Sequence, residues 1–427
     1  MPAMGVKVAV VGAGSTYTPE LVEGFARRMD RFPVDSLALL DIDADRLAVV
    51  GALADRMLRK TGWGGELRLT GARDEALEGA DFVVVQLRVG GQRARYQDET
   101  IPGKFGAIGQ ETTGAGGFAK GLRTIPVVLE LAEETAARAA PGAWFVDFTN
   151  PTGMVTQALI DQGHRALGLC NVAIGLQRRF ARHFGVEPER VQLEHVGLNH
   201  LSWERAVLVD GVDRLPEILG EHIDLVADET DTPAELIRAL GSIPSYYLHY
   251  YYFTREVVEE QKTGRTRAEE VMEIEQGLLE LYADPTLDTK PELLEHRGGA
   301  FYSEAAAQLV ASLHAGTGDV QIVNVRNDGS IPNVDPEAVV ETPARIDRDG
   351  AHPLSLAPLD DHMLGLVQHV KAYERLAIRA AIEGNRAIAL EALMTNPLVP
   401  GFHAAAEMLD VLLEANRQHL PRFFPAG

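Results

Sequence analysis

The feature that most constrains the fold is a short apolar run that ends in two glycines. Residues 6–11 read Val-Lys-Val-Ala-Val-Val, and Gly12, Gly14 and Ser15 follow at once. A short, valine-rich run is typical of a parallel strand that is covered on both faces. A glycine turn between such a strand and a helix is where backbone amides bind a pyrophosphate. The pattern therefore predicts an α/β sheet with a nucleotide site at its edge.

Alternating strands and helices continue through the first half of the chain. Further strands are predicted at residues 37–41, 66–70, 81–87, 143–148 and 165–169, and helices at 45–59, at 124–139 and from about residue 19. This alternation is typical of a doubly wound, Rossmann-like parallel sheet.

Four residues carry the nucleotide prediction. Gly12 permits the tight turn, Gly14 lets the backbone approach a pyrophosphate, and Ser15 completes the turn. Tyr17 stands where the longer fingerprint has a third glycine. Asp41 ends the second strand at the spacing of an acid that binds ribose hydroxyls, which favours NAD over NADP.

The order of elements changes after about residue 195. Strands are predicted at residues 191–203 and 206–209, helices near 266–283, 302–314, 361–384 and 402–417, and a connecting loop at 327–357. We therefore predict an NAD-binding Rossmann-like domain over residues 1–195. Residues 196–427 are predicted to form an α+β domain that carries substrate, metal and oligomerisation residues.

Charge and composition limit the classes of binding partner and the location expected for this protein. The net charge of −22 repels polyanions, so neither nucleic acid nor an anionic membrane is expected as a partner. No stretch has the length of a membrane span, and no export signal is evident before the first strand. The single cysteine fits a cytoplasmic location. Apolar helices late in the chain predict a homodimer or homotetramer.

Three arginines follow the fourth predicted strand. Arg88, Arg93 and Arg95 lie in a glycine-containing loop at the sheet edge where open parallel sheets bind ligands. The guanidinium group recognises carboxylate or phosphate through paired hydrogen bonds. The alternative is a solvated loop whose arginines pair with the surplus acids of this chain.

Two further segments combine glycine or proline with one polar side chain. Glu111 lies within Gly109-Gln-Glu-Thr-Thr-Gly-Ala-Gly-Gly117, which has too many glycines for a stable helix or strand. Asn150 ends a strand and precedes a proline. A structural turn is the alternative for both segments.

Cys170 and His200 form a candidate metal pair. Thiolate and imidazole are both metal ligands, and each residue follows a strand-like run. The alternatives are a small buried apolar residue for Cys170 and a structural role for His200.

Seven segments in order resemble the family 4 glycoside hydrolases. They are Gly12-x-Gly-Ser15, Arg88-x-Gly-Gly91, Ile108-Gly-Gln-Glu-Thr112, Leu122-Arg-Thr-Ile-Pro126, Asn150-Pro-Thr-Gly153, Gly168-Leu-Cys-Asn171 and Gly197-Leu-Asn-His200. The Cys-Asn pair and the Gln-Glu-Thr segment are similar to the 6-phospho-β-glucosidase branch. Ala115 and Ala173 depart from the family pattern, which often has proline there.

The resemblance implies NAD-assisted hydrolysis of a phosphorylated disaccharide or aryl glycoside, an exception to the two-carboxylate mechanism. Hydride passes from C3 of the sugar to NAD⁺, a base removes the C2 proton, and the aglycone is eliminated from C1. Water then adds and the hydride returns. Cys170 and His200 would hold a divalent ion, with Mn²⁺ expected, that stabilises the enolate-like charge.

The resemblance also implies roles for other residues. A tyrosine base is expected in the segment that begins at Ser245, with Tyr247 preferred and Tyr246 as the alternative. Glu111 would accept the hydrogen bond of that base. The residues expected to contact the substrate are Arg88, Arg95 and Asn150 near the sugar, and Arg267 at the phosphate.

Other functions remain open at this stage. One is a different family 4 specificity, for a 6-phospho-α-glucoside, an α-galactoside or a glucuronide. Another is a lactate- or malate-type 2-hydroxyacid dehydrogenase, which shares the glycine turn, Asp41 and an arginine loop but leaves Cys170 without a role. A third is a non-catalytic NAD-binding protein.

Overall fold

The computed structural model describes residues 5–298 and 301–425. The first four residues, on which the export prediction partly depends, lie outside these ranges. The strands are β1 (Val6–Val11), β2 (Val34–Leu40), β3 (Glu66–Thr70), β4 (Phe82–Val85), β5 (Trp144–Asp147), β6 (Ala166–Gly168), β7 (Val191–Leu198), β8 (Leu201–Val209), β9 (Val212–Asp213), β10 (Ile243–Pro244), β11 (Val320–Arg326), β12 (Val339–Asp347) and β13 (Gly350–Pro353). The helices are α1 (Thr18–Ala26), α2 (Ala44–Lys60), α3 (Arg73–Leu77), α4 (Gly91–Thr100), α5 (Gly114–Arg138), α6 (Thr152–Asp161), α7 (Val172–Phe184), α8 (Leu215–Glu221), α9 (Asp224–Thr230), α10 (Ala234–Leu240), α11 (His249–Tyr252), α12 (Thr254–Gln261), α13 (Arg267–Tyr282), α14 (Tyr302–Ala315), α15 (Asp361–Glu383), α16 (Arg386–Thr395) and α17 (Phe402–Ala415).

The main sheet has the strand order β13-β12-β11-β6-β5-β4-β1-β2-β3. Strands β1 to β6 run parallel, in the order of a dinucleotide-binding sheet. Strands β11 to β13 extend it in antiparallel fashion. The predicted α/β class, with a parallel Rossmann-like sheet and a C-terminal α+β part, is confirmed.

Both faces of the main sheet are buried. Successive side chains of each strand point to opposite faces, so each strand contributes to two cores. On β1, Val8 and Val10 pack with residues of α1 and α14, such as Leu21 and Leu309. The intervening Ala9 belongs to the opposite core, with residues of α5 and α6. This two-sided burial explains the continuous apolar run with which the chain begins.

A smaller antiparallel sheet contains β7, β8, β9 and β10. The prediction of one strand over residues 191–203 is wrong, because the chain reverses at Asn199 and His200 between β7 and β8. His200 has a φ of 62°, in the left-handed region. The apolar residues on both sides of this turn concealed it, and the turn places the imidazole at the end of the hairpin.

Two segments predicted as loops are regular. Residues 327–357 contain β12 and β13, which form the edge of the main sheet. Helix α5 begins at Gly114, ten residues before the predicted start. A Cβ atom on Gly116 would lie 2.2 Å from the carbonyl oxygen of Gln110, and one on Gly117 would lie 2.5 Å from the backbone of Thr112. These glycines allow close backbone approach at the start of a helix.

The second half of the chain completes the first sheet. Strands β11 to β13 extend it, and α14 packs on α1. The division at residue 195 stays a prediction. No helix within the described residues is long and apolar enough to cross a membrane.

Candidate active site

A cavity of about 1310 Å³ lies between the glycine turn, the arginine loop and the tyrosine segment. Eleven of the residues singled out from the sequence line it: Gly12, Gly14, Ser15, Asp41, Arg88, Arg95, Glu111, Asn150, Tyr246, Tyr247 and Arg267. Cys170 and His200 are each 4% exposed and adjoin the cavity through two of its lining residues, Tyr302 and Tyr247 respectively.

The glycine turn has the close packing expected of a dinucleotide site. Gly12 has a φ of 83°, and a Cβ atom there would lie 2.8 Å from the backbone of Leu87. The amide of Gly14 donates to Asp41 Oδ2 at 2.7 Å, and the amide of Asp43 donates to Oδ1 at 2.9 Å. Each carboxylate oxygen keeps a lone pair for a ribose hydroxyl. These residues fit NAD.

Four charged residues, Arg88, Arg95, Lys120 and Glu111, form what we call the cationic cluster. Arg88 donates to both oxygens of Glu111, Lys120 Nζ donates to Oε2 at 2.7 Å, and Arg95 Nε lies 3.4 Å from Oε1. Burial raises the pKa of Glu111, but the charges of Arg88, Lys120 and Arg95 outweigh it and hold the pKa well below its usual range. Three basic side chains thus surround Glu111 at the cavity wall, and Arg95 also pairs with Glu99 at 2.7 Å.

Lys120 was missed by the sequence reasoning. It lies on α5, between the glycine-rich segment that ends at Gly117 and the predicted helix start at residue 124, and it is 2% exposed. Burial and the charge of Arg88 lower the pKa of Lys120 to about 7, although Glu111 acts in the opposite direction. Its side chain can therefore exchange a proton near neutral pH. In the sequence, Lys120 could have been recognised only as a lysine that follows a glycine-rich segment.

His200 is held in one tautomer by Thr112. The Thr112 hydroxyl donates to Gln110 Oε1 at 2.9 Å, so its oxygen is free to accept from His200 Nδ1, also at 2.9 Å. The lone pair of the ring is then on Nε2, which is buried and has no hydrogen-bond partner among the described residues. Burial lowers the pKa of His200 to about 4, so the ring is neutral.

Cys170 is buried at the end of β6, where Tyr302 donates to its sulfur at 3.8 Å. Burial, and then the charge of Glu341, raise the pKa of the thiol. A thiol and a neutral imidazole with a free lone pair are a donor set that fits a divalent metal. No group of three or more His, Cys, Asp and Glu side chains in the described ranges is arranged as a metal site, so remaining ligands would come from outside the chain.

Tyr247 connects these groups. Its ring is parallel to that of His200, with centroids 3.5 Å apart and an interplanar angle of 7°. Burial, followed by the charges of Cys170 and Glu111, raises the pKa of Tyr247. Glu111 is bonded to Arg88 and Lys120, and the expected hydrogen bond from Tyr247 to Glu111 is not among the contacts of the described residues. The roles assigned to both residues stay predictions.

The remaining candidates surround this centre. Asn150 Nδ2 donates to Tyr302 at 3.3 Å, and its buried Oδ1 has no partner among the described residues. Arg267 begins α13, where it donates to Glu270 at 2.7 Å and to the carbonyl of His296 at 2.8 Å. Tyr246 is 43% exposed, whereas Tyr247 is largely buried. Tyr302 had no distinguishing sequence signal.

The geometry suits a redox step at a polar, anionic substrate. A nucleotide turn, a phenol, a neutral imidazole with a free lone pair and a cationic cluster meet in or beside one cavity. The fold and the site together define an α/β enzyme that joins dinucleotide binding to chemistry at a polar centre.

Comparison with known proteins identifies the family. Residues 7–186 match the family 4 glycosyl hydrolase model, and residues 195–399 match the model of the C-terminal domain of that family. The chain therefore belongs to the family 4 glycosyl hydrolases, as the seven motifs predicted.

Relatives match over nearly the full length. The chain is 43% identical to a "Probable 6-phospho-beta-glucosidase" of Bacillus subtilis (strain 168), covering 98% of both chains. It is 37% identical to a 6-phospho-β-glucosidase of Escherichia coli (strain K12), covering 98% of this chain and 97% of the relative. A 6-phospho-β-glucosidase from Thermotoga maritima, solved with manganese, NAD⁺ and glucose 6-phosphate, superposes with a TM-score of 0.92 at 36% identity, covering 97% and 99% of the two chains.

Proposed function

We propose that this protein hydrolyses 6-phospho-β-glucosides with NAD⁺ and a divalent metal ion, with Mn²⁺ expected. The observation that carries the proposal is full-length similarity to 6-phospho-β-glucosidases in a chain whose glycine turn and tyrosine segment line one cavity. The substrate is a phosphorylated disaccharide or aryl glycoside. The other family 4 specificities and the 2-hydroxyacid dehydrogenase are not favoured.

Two bound groups supply chemistry that the side chains lack. When bound, NAD⁺ would supply a reversible hydride acceptor for C3 of the sugar, and the metal ion would supply Lewis acidity towards the sugar oxygens. Gly12, Gly14, Ser15 and Asp41 would hold the nucleotide. Cys170 and His200 would hold the metal.

The side chains bind the substrate and move a proton. Tyr247 is the base for the C2 proton, and because burial raises its pKa, it needs a nearby positive charge to ionise at neutral pH. The cationic cluster gives the anionic substrate a favourable potential in a protein of net charge −22. Asn150 contacts the sugar, and Arg267 at the cavity edge binds the phosphate.

Comparison of four chromogenic substrates tests this proposal. With NAD⁺, Mn²⁺ and a reducing agent, we expect release of 4-nitrophenol from the 6-phospho-β-glucoside. The non-phosphorylated β-glucoside, the 6-phospho-α-glucoside and the 6-phospho-β-galactoside serve as controls. Equal rates with the phosphorylated and non-phosphorylated β-glucosides would contradict the assigned substrate class.

We further propose a cytoplasmic homodimer or homotetramer. Met394, Phe402 and Val411 on the late helices α16 and α17 are exposed apolar side chains that association would cover. Light scattering on the purified protein gives the mass in solution, and a monomer of 46.4 kDa would contradict this proposal.

A further inference from the structure

Three ionisable residues that we call the anionic triad lie buried near the proposed metal residues. His195 on β7 is 0% exposed, and Glu204 on β8 and Glu341 on β12 are each 1% exposed. His195 Nδ1 lies 2.7 Å from Glu204, and Nε2 lies 3.5 Å from Glu341. Burial lowers the pKa of His195, but the two carboxylates outweigh it and raise the pKa to about 10. The two carboxylates thus favour the protonated form of the imidazole.

Such a triad is costly to bury. Charges lose their hydration in the interior, and an apolar trio of similar volume is often at least as stable. A buried carboxylate is favourable where a cation binds beside it.

Glu341 connects the triad to both proposed metal ligands. Its Oε2 accepts a hydrogen bond from Asn199 Nδ2 at 3.0 Å. The Asn199 side chain also lowers the pKa of Cys170, and Asn199 precedes His200 in the turn between β7 and β8. The charge of Glu341 acts on both Cys170 and His200, whereas the hydrogen bond of the Glu204 side chain within the described residues is to the opposite nitrogen of His195.

We propose that Glu341 is a positioning residue for the metal ion: its negative charge favours the cation, and its hydrogen bond to Asn199 orients Cys170 and His200. The inference rests on the metal assignment of the proposed function. Groups that hydrogen-bond to metal ligands commonly change metal affinity 10- to 100-fold when removed.

Titration of Mn²⁺ into the metal-free full-length protein tests this role without turnover. Free Mn²⁺ is measured by electron paramagnetic resonance under reducing conditions. We expect Glu341→Gln to raise the Kd for Mn²⁺ by roughly tenfold or more. Glu204→Gln is the matched control, because it removes the same charge from the same imidazole without touching Asn199. Its Kd should stay within about twofold of wild type, well short of the range for groups that orient ligands.

The outcomes separate this inference from the proposed function. Equal Kd values for Glu341→Gln and wild type, or equal losses in both glutamate variants, would overturn the positioning role alone. A wild-type protein that binds no Mn²⁺ would contradict the metal assignment and this inference together. If circular dichroism shows that Glu341→Gln does not fold, Asn199→Ala decides, since it leaves the triad intact and removes the link to Glu341 together with the weak acceptor for the Gly153 amide. An unchanged Kd in that variant would overturn the role.

Discussion

The cationic cluster and the anionic triad differ in the sign of their charge and in whether a ligand can reach them. The cationic cluster places three cations around one carboxylate and lines the cavity. The anionic triad places two carboxylates around one imidazole, and its members are closed off from solvent. Because a cavity wall acts on a ligand that enters and leaves, its charge complements an anionic substrate. The closed group lies beside the residues proposed to hold the metal ion, so in that proposal its carboxylates complement a cation that stays bound.

The largest expected effect comes from removing a metal ligand. Cys170→Ser or His200→Ala should abolish turnover, because the ion that stabilises the developing charge is lost. NAD binding, measured by fluorescence titration, should be nearly unchanged because the glycine turn lies elsewhere in the sheet. A chelator should inactivate the wild type and Mn²⁺ should restore it. Full activity of metal-free wild type would show that the triad has no cation to complement.

The second-largest effect is expected when the proposed catalytic base is removed. Tyr247→Phe removes only the hydroxyl and should lower kcat by about 10²- to 10⁴-fold. Binding of substrate and NAD⁺ should persist. Tyr246→Phe is the matched control on the adjacent residue and should retain most activity. If Tyr246→Phe is the variant that loses kcat, the base has been assigned to the wrong tyrosine.

Removing a cavity arginine should have a smaller effect. Arg95→Ala or Arg267→Ala should raise KM for the phosphorylated substrate by at least roughly tenfold, because a charged hydrogen bond contributes about 1.5–3 kcal/mol. Lys262→Ala removes one positive charge from the same segment as Arg267, but its side chain is exposed and pairs with Glu259. If KM rises equally in Arg267→Ala and Lys262→Ala, the effect reflects the overall charge of this region and not a contact between Arg267 and the phosphate.

The smallest effect on function concerns a buried acid that forms no ion pair with the described residues. Asp147 at the end of β5 is 0% exposed, and burial raises its pKa to about 8 despite a hydrogen bond from the amide of Thr149. A raised folded-state pKa favours the neutral form, so stability from this group falls as the pH rises from about 4 towards 8. Between pH 6 and pH 8, the free energy of unfolding of wild type should fall by on the order of 2 kcal/mol through this group. Asp147→Asn should not show this part of the decrease.

Denaturant unfolding at the two pH values measures this difference. Asp45→Asn, at an exposed position in the first turn of α2, is the control and should follow the wild-type pH dependence. If Asp147→Asn also follows wild type, Asp147 is ionised in the folded protein and buried acids here do not need a partner.

Local patterns predicted much of the fold and part of the site. The strand at residues 6–11, the strand at 66–70 and the acid Asp41 follow from periodicity and turn chemistry within a few residues. The turn at His200 was hidden because both flanking strands are apolar. The start of α5 was hidden because its glycines serve close backbone packing, which a pattern of composition does not distinguish from a loop.

Long-range contacts account for what could not be predicted. Glu341 lies 142 positions from Asn199 along the chain, and its hydrogen bond exists only because β12 lies against β7. Lys120 reaches Glu111 only because α5 begins early. Local sequence spacing does not predict either contact, so the cationic cluster and the anionic triad could be identified only from the folded structure.

Product analysis in heavy water distinguishes hydrolysis by oxidation and elimination from direct displacement at C1. The protein is freed of NAD⁺, and the 6-phospho-β-glucoside is incubated in heavy water with Mn²⁺, with and without added NAD⁺. We expect no product without NAD⁺, and glucose 6-phosphate that carries deuterium at C2 when NAD⁺ is present, as read by proton NMR. Product formed without NAD⁺ that retains protium at C2 would contradict oxidation and elimination.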